Sequence, residues 1–196
     1  LIRDRILANM NYLHTVNFVD DTLLYCVSWE EHCEKLIELL ERYKYYRLRL
    51  NPKKCTFARK EVLFCGLMIN GEGSYPDPRK VELISKLTHP TSQKSLRSFI
   101  STMSFHRRHI KNFSQLCAIF RPLLKANAKW QWTPEMNERF EYLRNLLKTE
   151  PVFLFHPNYD NEFVLIVDSS LSACAYALYN RDLQGKLRPI NYGSRL

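Results

Sequence analysis

At 196 residues, 45% hydrophobic and 13% aromatic, the chain can bury the core of one generous domain or two small ones. A mean hydropathy of −0.35 and the absence of any apolar run near about eighteen residues exclude a helical membrane span. The net charge of +9 is large enough to point toward an anionic partner.

From the N-terminus, Tyr12 to Val27 reads as two apolar strands around Asp20-Asp21. Aspartate is poor in strands and good in tight turns, which predicts a β-hairpin with both carboxylates at or beside its tip. Ser28-Trp29-Glu30-Glu31 supplies a capping box, and Leu36, Ile37, Leu39, Leu40 and Tyr43 continue it as an amphipathic helix. After Asn51-Pro52 a strand pair ends in Val62 to Ile69, with Gly71 and Gly73 closing it in a turn. Gly71-Glu72-Gly73 precedes no helix, so it is not a phosphate loop. A helical region follows Pro78. It carries one stripe of Leu96, Phe99, Ile100 and Met103, and another of Phe113, Leu116, Ile119, Phe120 and Leu123. Thr133-Pro134 starts a helix to about Thr149 that presents Met136, Phe140, Leu143 and Leu147. Beyond Pro151 strands return around Phe163–Val167 and Ala175–Tyr179, so the best domain boundary falls near 150.

The six cysteines, Cys26, Cys33, Cys55, Cys65, Cys117 and Cys174, form no CxxC pair. Neither a zinc site nor a disulfide framework is expected. His106 and His109 share a helix face near Cys117, a pattern that fits packing or phosphate contact better than metal ligation. Asn112-Phe113-Ser114 matches a glycosylation sequon, which we expect to be unused because residues 1–111 contain no charged-then-apolar signal segment. We therefore expect an intracellular setting, cytoplasmic or within a virus-like particle, with the nucleus as a further option. The start at Leu1 without a methionine leads us to expect missing upstream sequence.

The basic charge is concentrated. Residues 1–41 carry three Lys/Arg against eight Asp/Glu, residues 42–111 sixteen against four, and residues 112–196 ten against eight. Cations interleaved with Tyr43, Tyr45, Tyr46, Phe99 and Phe105 are the footprint of a polyanion-binding surface. A basic face kept for solubility is the plainer alternative.

Adjacent carboxylates on a rigid tip repel each other unless solvent or a cation intervenes. Asp-Asp in a turn is common, but Phe18-Val19-Asp20-Asp21 between two apolar strands is more particular. Polymerases hold divalent ions on carboxylates in this way, one ion activating the primer hydroxyl and another neutralising the leaving pyrophosphate. Mg²⁺ suits the task because it takes oxygen ligands and shares its shell with phosphates.

Phe18-Val19-Asp20-Asp21 resembles the Tyr-x-Asp-Asp box of reverse transcriptases, with Phe for Tyr. Leu50-Asn51-Pro52-Lys53-Lys54-Cys55 resembles the stretch after the palm helix, and Val62 to Ile69 the primer-grip strand. Pro76-Asp77-Pro78-Arg79-Lys80-Val81, Leu96-Arg97-Ser98-Phe99 and Phe105 to Ser114 resemble the segments that lead into and form the thumb. Trp132-Thr133 to Phe140 and Pro151-Val152-Phe153 resemble the approach to RNase H. Together these motifs, in family order, resemble a gypsy-type LTR retrotransposon reverse transcriptase over nearly the whole chain.

The resemblance implies an α+β fold: a partial palm over 1–75, a helical thumb over 76–149, and the start of an RNase H-like domain over 150–196. It implies Asp20 as chief metal ligand with Asp21 supporting, and Lys53 or Lys54 near the incoming nucleotide. Phe64, Cys65, Gly66, Leu67 and Met68 would form the primer grip, with glycine leaving room for a nucleic-acid strand. Arg97, Arg107, Arg108 and Lys111 would meet backbone phosphates of a primer–template duplex. Phe163 to Ser170 resembles the first RNase H strand, placing Asp168 in a second metal site. Tyr192-Gly193-Ser194-Arg195-Leu196 resembles the stretch after which that site's other carboxylates follow, while Ser172-Ala173-Cys174-Ala175 stands where the family tends to have glycines.

The implied cofactor is Mg²⁺ or Mn²⁺, and the implied partners are an RNA/DNA primer–template duplex and dNTPs, with a homodimer left open and no membrane. No strand before Asp20 matches the family's upstream aspartate, and Asp4 falls in a helix preceding the hairpin. The segment alone is therefore expected to be inactive. Two alternatives remain at this stage: a degenerate or domesticated remnant that binds nucleic acid or protein without catalysis, and an interaction module with incidental charge.

Overall fold

A computed structural model describes residues 2–149, 152–169 and 173–195. Leu1, Pro151, Ser170, Ser172 and Leu196, each part of a motif or reading above, lie outside the described residues. The chain divides into two compact units, Leu1–Cys65 and Gly66–Leu196.

In the first unit, helix α1 (Ile2–Leu7) leads through a 3-10 turn to the hairpin of β1 (Thr15–Phe18) and β2 (Asp21–Leu24). Helix α2 (Trp29–Tyr45) follows, and the unit closes with β3 (Glu61–Phe64). Ile6, Leu7 and Met10 bury against Leu39 and Tyr43 of α2, with Leu24 packed alongside. Of the apolar stripe expected on α2, Leu39 and Tyr43 are buried while Ile37 and Leu40 are exposed. Arg42 explains how α1 stops: its guanidinium donates to the carbonyls of Ile6 and Leu7 at 3.1 and 2.9 Å and to Glu38 and Asn9. A cation on the carbonyl end of a helix satisfies groups that have no partner within it.

The capping signal at Ser28 works by half. Ser28 Oγ accepts the Glu31 N–H at 3.2 Å, as a capping box requires. The Glu31 carboxylate, however, accepts from Val27 N at 3.0 Å, one residue before the cap.

In the second unit β4 (Leu67–Asn70), β5 (Gly73–Pro76) and β6 (Leu154–Phe155) lie side by side in that order. The helices run α3 (Pro78–Ser85), α4 (Gln93–Phe105), α5 (Phe113–Cys117), α6 (Arg121–Leu124) and α7 (Pro134–Thr149). A second sheet, ordered β7-β8-β9, contains β7 (Phe163–Ser169), β8 (Cys174–Arg181) and β9 (Leu187–Arg195). Its pairing is antiparallel throughout, Asp168 facing Ala175 and Ser194 facing Ala175 from the other side.

Both expected helical stripes reach one core, where Leu96, Phe99 and Met103 meet Phe120, Phe140 and Leu143. The stretch Phe113–Leu124 is not one helix. It is α5, a 3-10 turn at Ala118–Phe120, and α6, which starts at Arg121-Pro122. Proline lacks the N–H that a continuous helix needs there. Thr133 caps α7 as expected, its Oγ1 accepting from Met136 N at 3.2 Å.

Gly73 does not close a turn; it opens β5. A Cβ there would lie 2.0 Å from the Leu154 carbonyl oxygen, so β6 can approach only because the side chain is missing. No described helix is long and apolar enough to cross a membrane.

Candidate active site and nucleic-acid interface

Phe18 pairs with Asp21, which leaves Val19 and Asp20 as the two-residue hairpin loop. Val19 has φ 51°, and Asp20 is not left-handed, the sign pattern of a type II′ turn in which glycine is usual at the first position. A β-branched residue there is strained by about 1–3 kcal/mol. Strain held at a carboxylate-bearing tip is the local signature of a site whose geometry is imposed. Asp20 and Asp21 are both exposed.

The root of the hairpin is fixed by hydrogen bonds. Thr22 Oγ1 donates to Asn17 Oδ1 at 2.7 Å. A hydroxyl has one proton, so Thr22 accepts from Tyr43 OH, 2.8 Å away, and β2 is tied to α2. Asn17 Nδ2 continues to Asn11 at 3.2 Å, and fully buried Thr15 donates to Met10 O at 3.1 Å.

Cys65 adds a second marker. Its thiol is raised above the ordinary cysteine value by burial first and then by the negative charge of Asp21. Cys65 and Gly66 both have positive φ, 50° and 80°. A Cβ on Gly66 would meet Lys80 Nζ at 2.7 Å and the Phe105 ring at 3.0 Å. Its glycine is required by φ and by these side chains, a reason different from the expected space for a nucleic-acid strand. Lys80 sits over the Phe105 ring, 5.1 Å from its centre. Phe64 ends β3, and Leu67 and Met68 open β4, all three half-buried.

Lys53 and Lys54 lie on a 3-10 turn capped by Asn51, whose Oδ1 accepts from Lys53 N at 3.1 Å, and both are exposed. Arg97 is exposed but donates to Leu124 O at 3.1 Å, tying α4 to the end of α6. Arg107 donates to Ser194 O and stands 6.0 Å from the Phe113 ring centre. Arg108 and Lys111 are exposed and form no ion pair among the described residues.

His106 and His109 are packed inside. Burial first, with Lys80 adding, lowers His106 to about 4. Burial, then the charges of His106 and Arg108, lowers His109 to about 4, with the Ser74 backbone opposing. Both are neutral near neutral pH and serve as core.

Asp168 is exposed on β7, on the strand face opposite Leu165 and Val167. Those two line a pocket of about 800 Å³ together with Phe105, Arg107, Arg108, Tyr176 and others, so the pocket is not at the carboxylate. Among the described residues no group of three or more His, Cys, Asp or Glu could hold a metal ion. Asp20 and Asp21 are hard oxygen donors that suit Mg²⁺, and they supply part of a ligand set rather than a closed one.

Sequence reasoning missed β5, β6, β9 and the role of Ser194. Pro189 and Gly193 hide β9, because both are rare in strand interiors. Pro189 sits where the β8–β9 register shifts past Leu178/Tyr179, and Gly193 lies where a Cβ would be 2.2 Å from the Tyr176 ring.

Comparison with known proteins agrees with this geometry. The family "Reverse transcriptase (RNA-dependent DNA polymerase)" matches residues 1–69, and "RNase H-like domain found in reverse transcriptase" matches residues 132–196. The retrovirus-related Pol polyprotein from transposon 412 of Drosophila melanogaster is 31% identical over 178 residues, 91% of this chain and 14% of the polyprotein. The transposon Tf2-3 polyprotein of Schizosaccharomyces pombe is 29% identical over 189 residues, 96% of this chain and again 14% of its own length. Among solved structures, a foamy viral protease–reverse transcriptase in complex with double-stranded DNA superposes with a TM-score of 0.85 at 22% identity, covering 100% of this chain and 34% of that one. The same type of enzyme in complex with an RNA/DNA hybrid gives 0.80.

Fold and site thus define the class: an α+β reverse transcriptase palm and thumb running into an RNase H-like domain. Its relatives are Pol polyproteins of LTR retrotransposons, which carry the same reverse transcriptase and RNase H-like regions, and the chain spans about one seventh of the polyproteins it matches.

Proposed function

We propose that the chain is the palm, thumb and first RNase H strands of an RNA-directed DNA polymerase with ribonuclease H, with borders at 1–75, 76–149 and 150–196. The observation that carries this reading is the strained hairpin tip that presents Asp20 and Asp21. Reverse transcriptases and RNases H generally use divalent metal ions. Bound Mg²⁺ or Mn²⁺ would activate a primer hydroxyl and neutralise the leaving pyrophosphate. Asp20 is the chief ligand and Asp21 the supporting one; Asp168 serves the RNase H centre.

The remaining residues position nucleic acid. Phe64 to Met68 hold the primer end. Arg108 and Lys111, which form no ion pair among the described residues, meet duplex phosphates, and Lys53 or Lys54 meets the nucleotide triphosphate. Arg97 and Arg107 are partly engaged by Leu124 and Ser194, so their share of phosphate binding is smaller. The work is intracellular.

The test is an anisotropy titration of the 196-residue chain with an RNA/DNA duplex across salt, beside a primer-extension assay. We expect duplex binding that weakens steeply with salt, a slope that falls by about two in Arg108→Gln/Lys111→Gln, and no extension. Binding that is absent or salt-insensitive at low ionic strength would sink the reading, and Mg²⁺-dependent extension would overturn the inactivity of the segment alone.

A further inference from the structure

Between Glu41 and Glu61 the chain has no acidic residue, while eight Lys/Arg fall in that interval. Arg42 is occupied by α1 and Glu38. The other seven, from Lys44 to Lys60, are exposed and make no ion pair among the described residues. Rings stand in water beside them: Tyr45 is 80% exposed, Phe57 51% and Tyr46 46%.

The segment is ordered rather than loose. Leu48 N donates to Tyr43 O at 2.8 Å, and Cys55 N to Pro52 O at 3.2 Å. Asn51 caps the 3-10 turn, and Tyr45 and Tyr46 pack edge to face with ring centres 5.0 Å apart. Seven cations that make no ion pair among the described residues, crowded with three exposed rings into residues 44–60, carry like-charge repulsion that a polyanion would relieve.

We propose that residues 44–60 form a binding strip for single-stranded nucleic acid. The cations, apart from whichever of Lys53 and Lys54 meets the nucleotide triphosphate, follow the phosphates while Tyr45, Tyr46 and Phe57 take bases. The rings decide between strand forms: a duplex keeps its base faces stacked inside, and only unpaired bases can lie on an aromatic side chain. The strip lies wholly in the first unit, whereas the duplex contacts proposed above at Arg108 and Lys111 lie in the second.

The test titrates the full chain with a labelled oligo-dT strand and with a blunt duplex of equal length, across salt. Arg49→Gln/Lys60→Gln is the charge variant; Arg47 is avoided because its φ of 56° makes its substitution a folding risk. We expect it to weaken single-strand binding about ten-fold and to lower the salt slope by about 1.4, with duplex affinity held within about two-fold. Tyr45→Ala and Phe57→Ala should each cost about five-fold or more on the single strand with the slope unchanged. Thermal melts like that of the parent chain show that the fold is kept; if one variant melts early, the other two carry the result.

Equal losses on both probes, or unchanged single-strand affinity, would overturn the strip. The duplex curve separates this inference from the preceding reading. Silent strip variants with intact duplex binding remove only the strip, and absent duplex binding with strip-dependent single-strand binding removes only the reading before it.

Discussion

Ser194 caps helix α5 from 80 residues away: its Oγ accepts the Ser114 N–H at 2.9 Å, and its carbonyl accepts from Ser114 Oγ at 3.0 Å. Asn112, the residue at the chain position of the cap, sits at φ 56° and makes no side-chain cap bond. The first turn of α5 therefore depends on β9 for a partner, and Arg107 reaches the same Ser194 carbonyl.

This reciprocal pair sets an order of effects. Ser194→Ala leaves the buried Ser114 N–H without its acceptor and should destabilise the second unit by about 1–2 kcal/mol. Ser114→Ala removes a donor from a carbonyl that keeps Arg107, and should cost about 1 kcal/mol or less. Urea unfolding of both variants checks the order; a costlier Ser114→Ala would refute the tertiary cap.

Val19 gives the opposite sign. Val19→Gly relieves the left-handed strain, less the entropy glycine adds to the unfolded chain, for a net gain of about 1 kcal/mol. Val19→Pro cannot reach a positive φ and should unfold the hairpin. Thermal melting reads both, and a destabilised Val19→Gly would mean that the valine side chain contributes more than its backbone costs.

Gly73 and Gly71 form a matched pair two residues apart. A Cβ on Gly73 would overlap the Leu154 carbonyl, whereas one on Gly71 would meet nothing within 4 Å. Gly73→Ala should cost about 1–3 kcal/mol by forcing β5 from β6, and Gly71→Ala should stay within about 0.5 kcal/mol. Similar melting temperatures for the two variants would count against the close approach.

His106 and His109 make stability depend on pH in a definite direction. Each titrates at about 4 when folded, below its ordinary value of 6.5, so the unfolded chain binds more protons between those limits. Their contribution is complete above about 6.5, falls as pH drops toward about 4, and levels below that. Denaturation midpoints from neutral pH to about 4.5 should decline, and His109→Gln should flatten the decline. The lowered carboxylates, such as Asp77 beside Arg79 and Glu82 beside Lys148, act below the unfolded carboxylate pKa, so they do not mimic this window.

The acidic hairpin, the palm helix, the thumb stripes and the α7 start were legible because each rests on near neighbours. A turn aspartate, a Ser or Thr cap and a helical apolar period act within a few residues. Asp20 and Asp21 could be singled out before any fold was known, since the flanking strands bracket them. β6 was too short to carry a pattern, and β9 was masked by Pro189 and Gly193, whose places make sense only against β8 and Tyr176.

Sequence by itself thus determined the family motifs, the acidic tip and the central block of positive charge, all local or additive properties of the chain. Tertiary structure alone decided which cations are free. Arg42, Arg97 and Arg107 look like Arg108 and Lys111 in one dimension, yet the first three donate to carbonyls of α1, α6 and β9. It also decided that His106 and His109 stay neutral and that Ser194 caps a distant helix. Those outcomes depend on desolvation and on hydrogen-bond partners up to 87 residues apart, and neither is encoded in the spacing of neighbouring side chains.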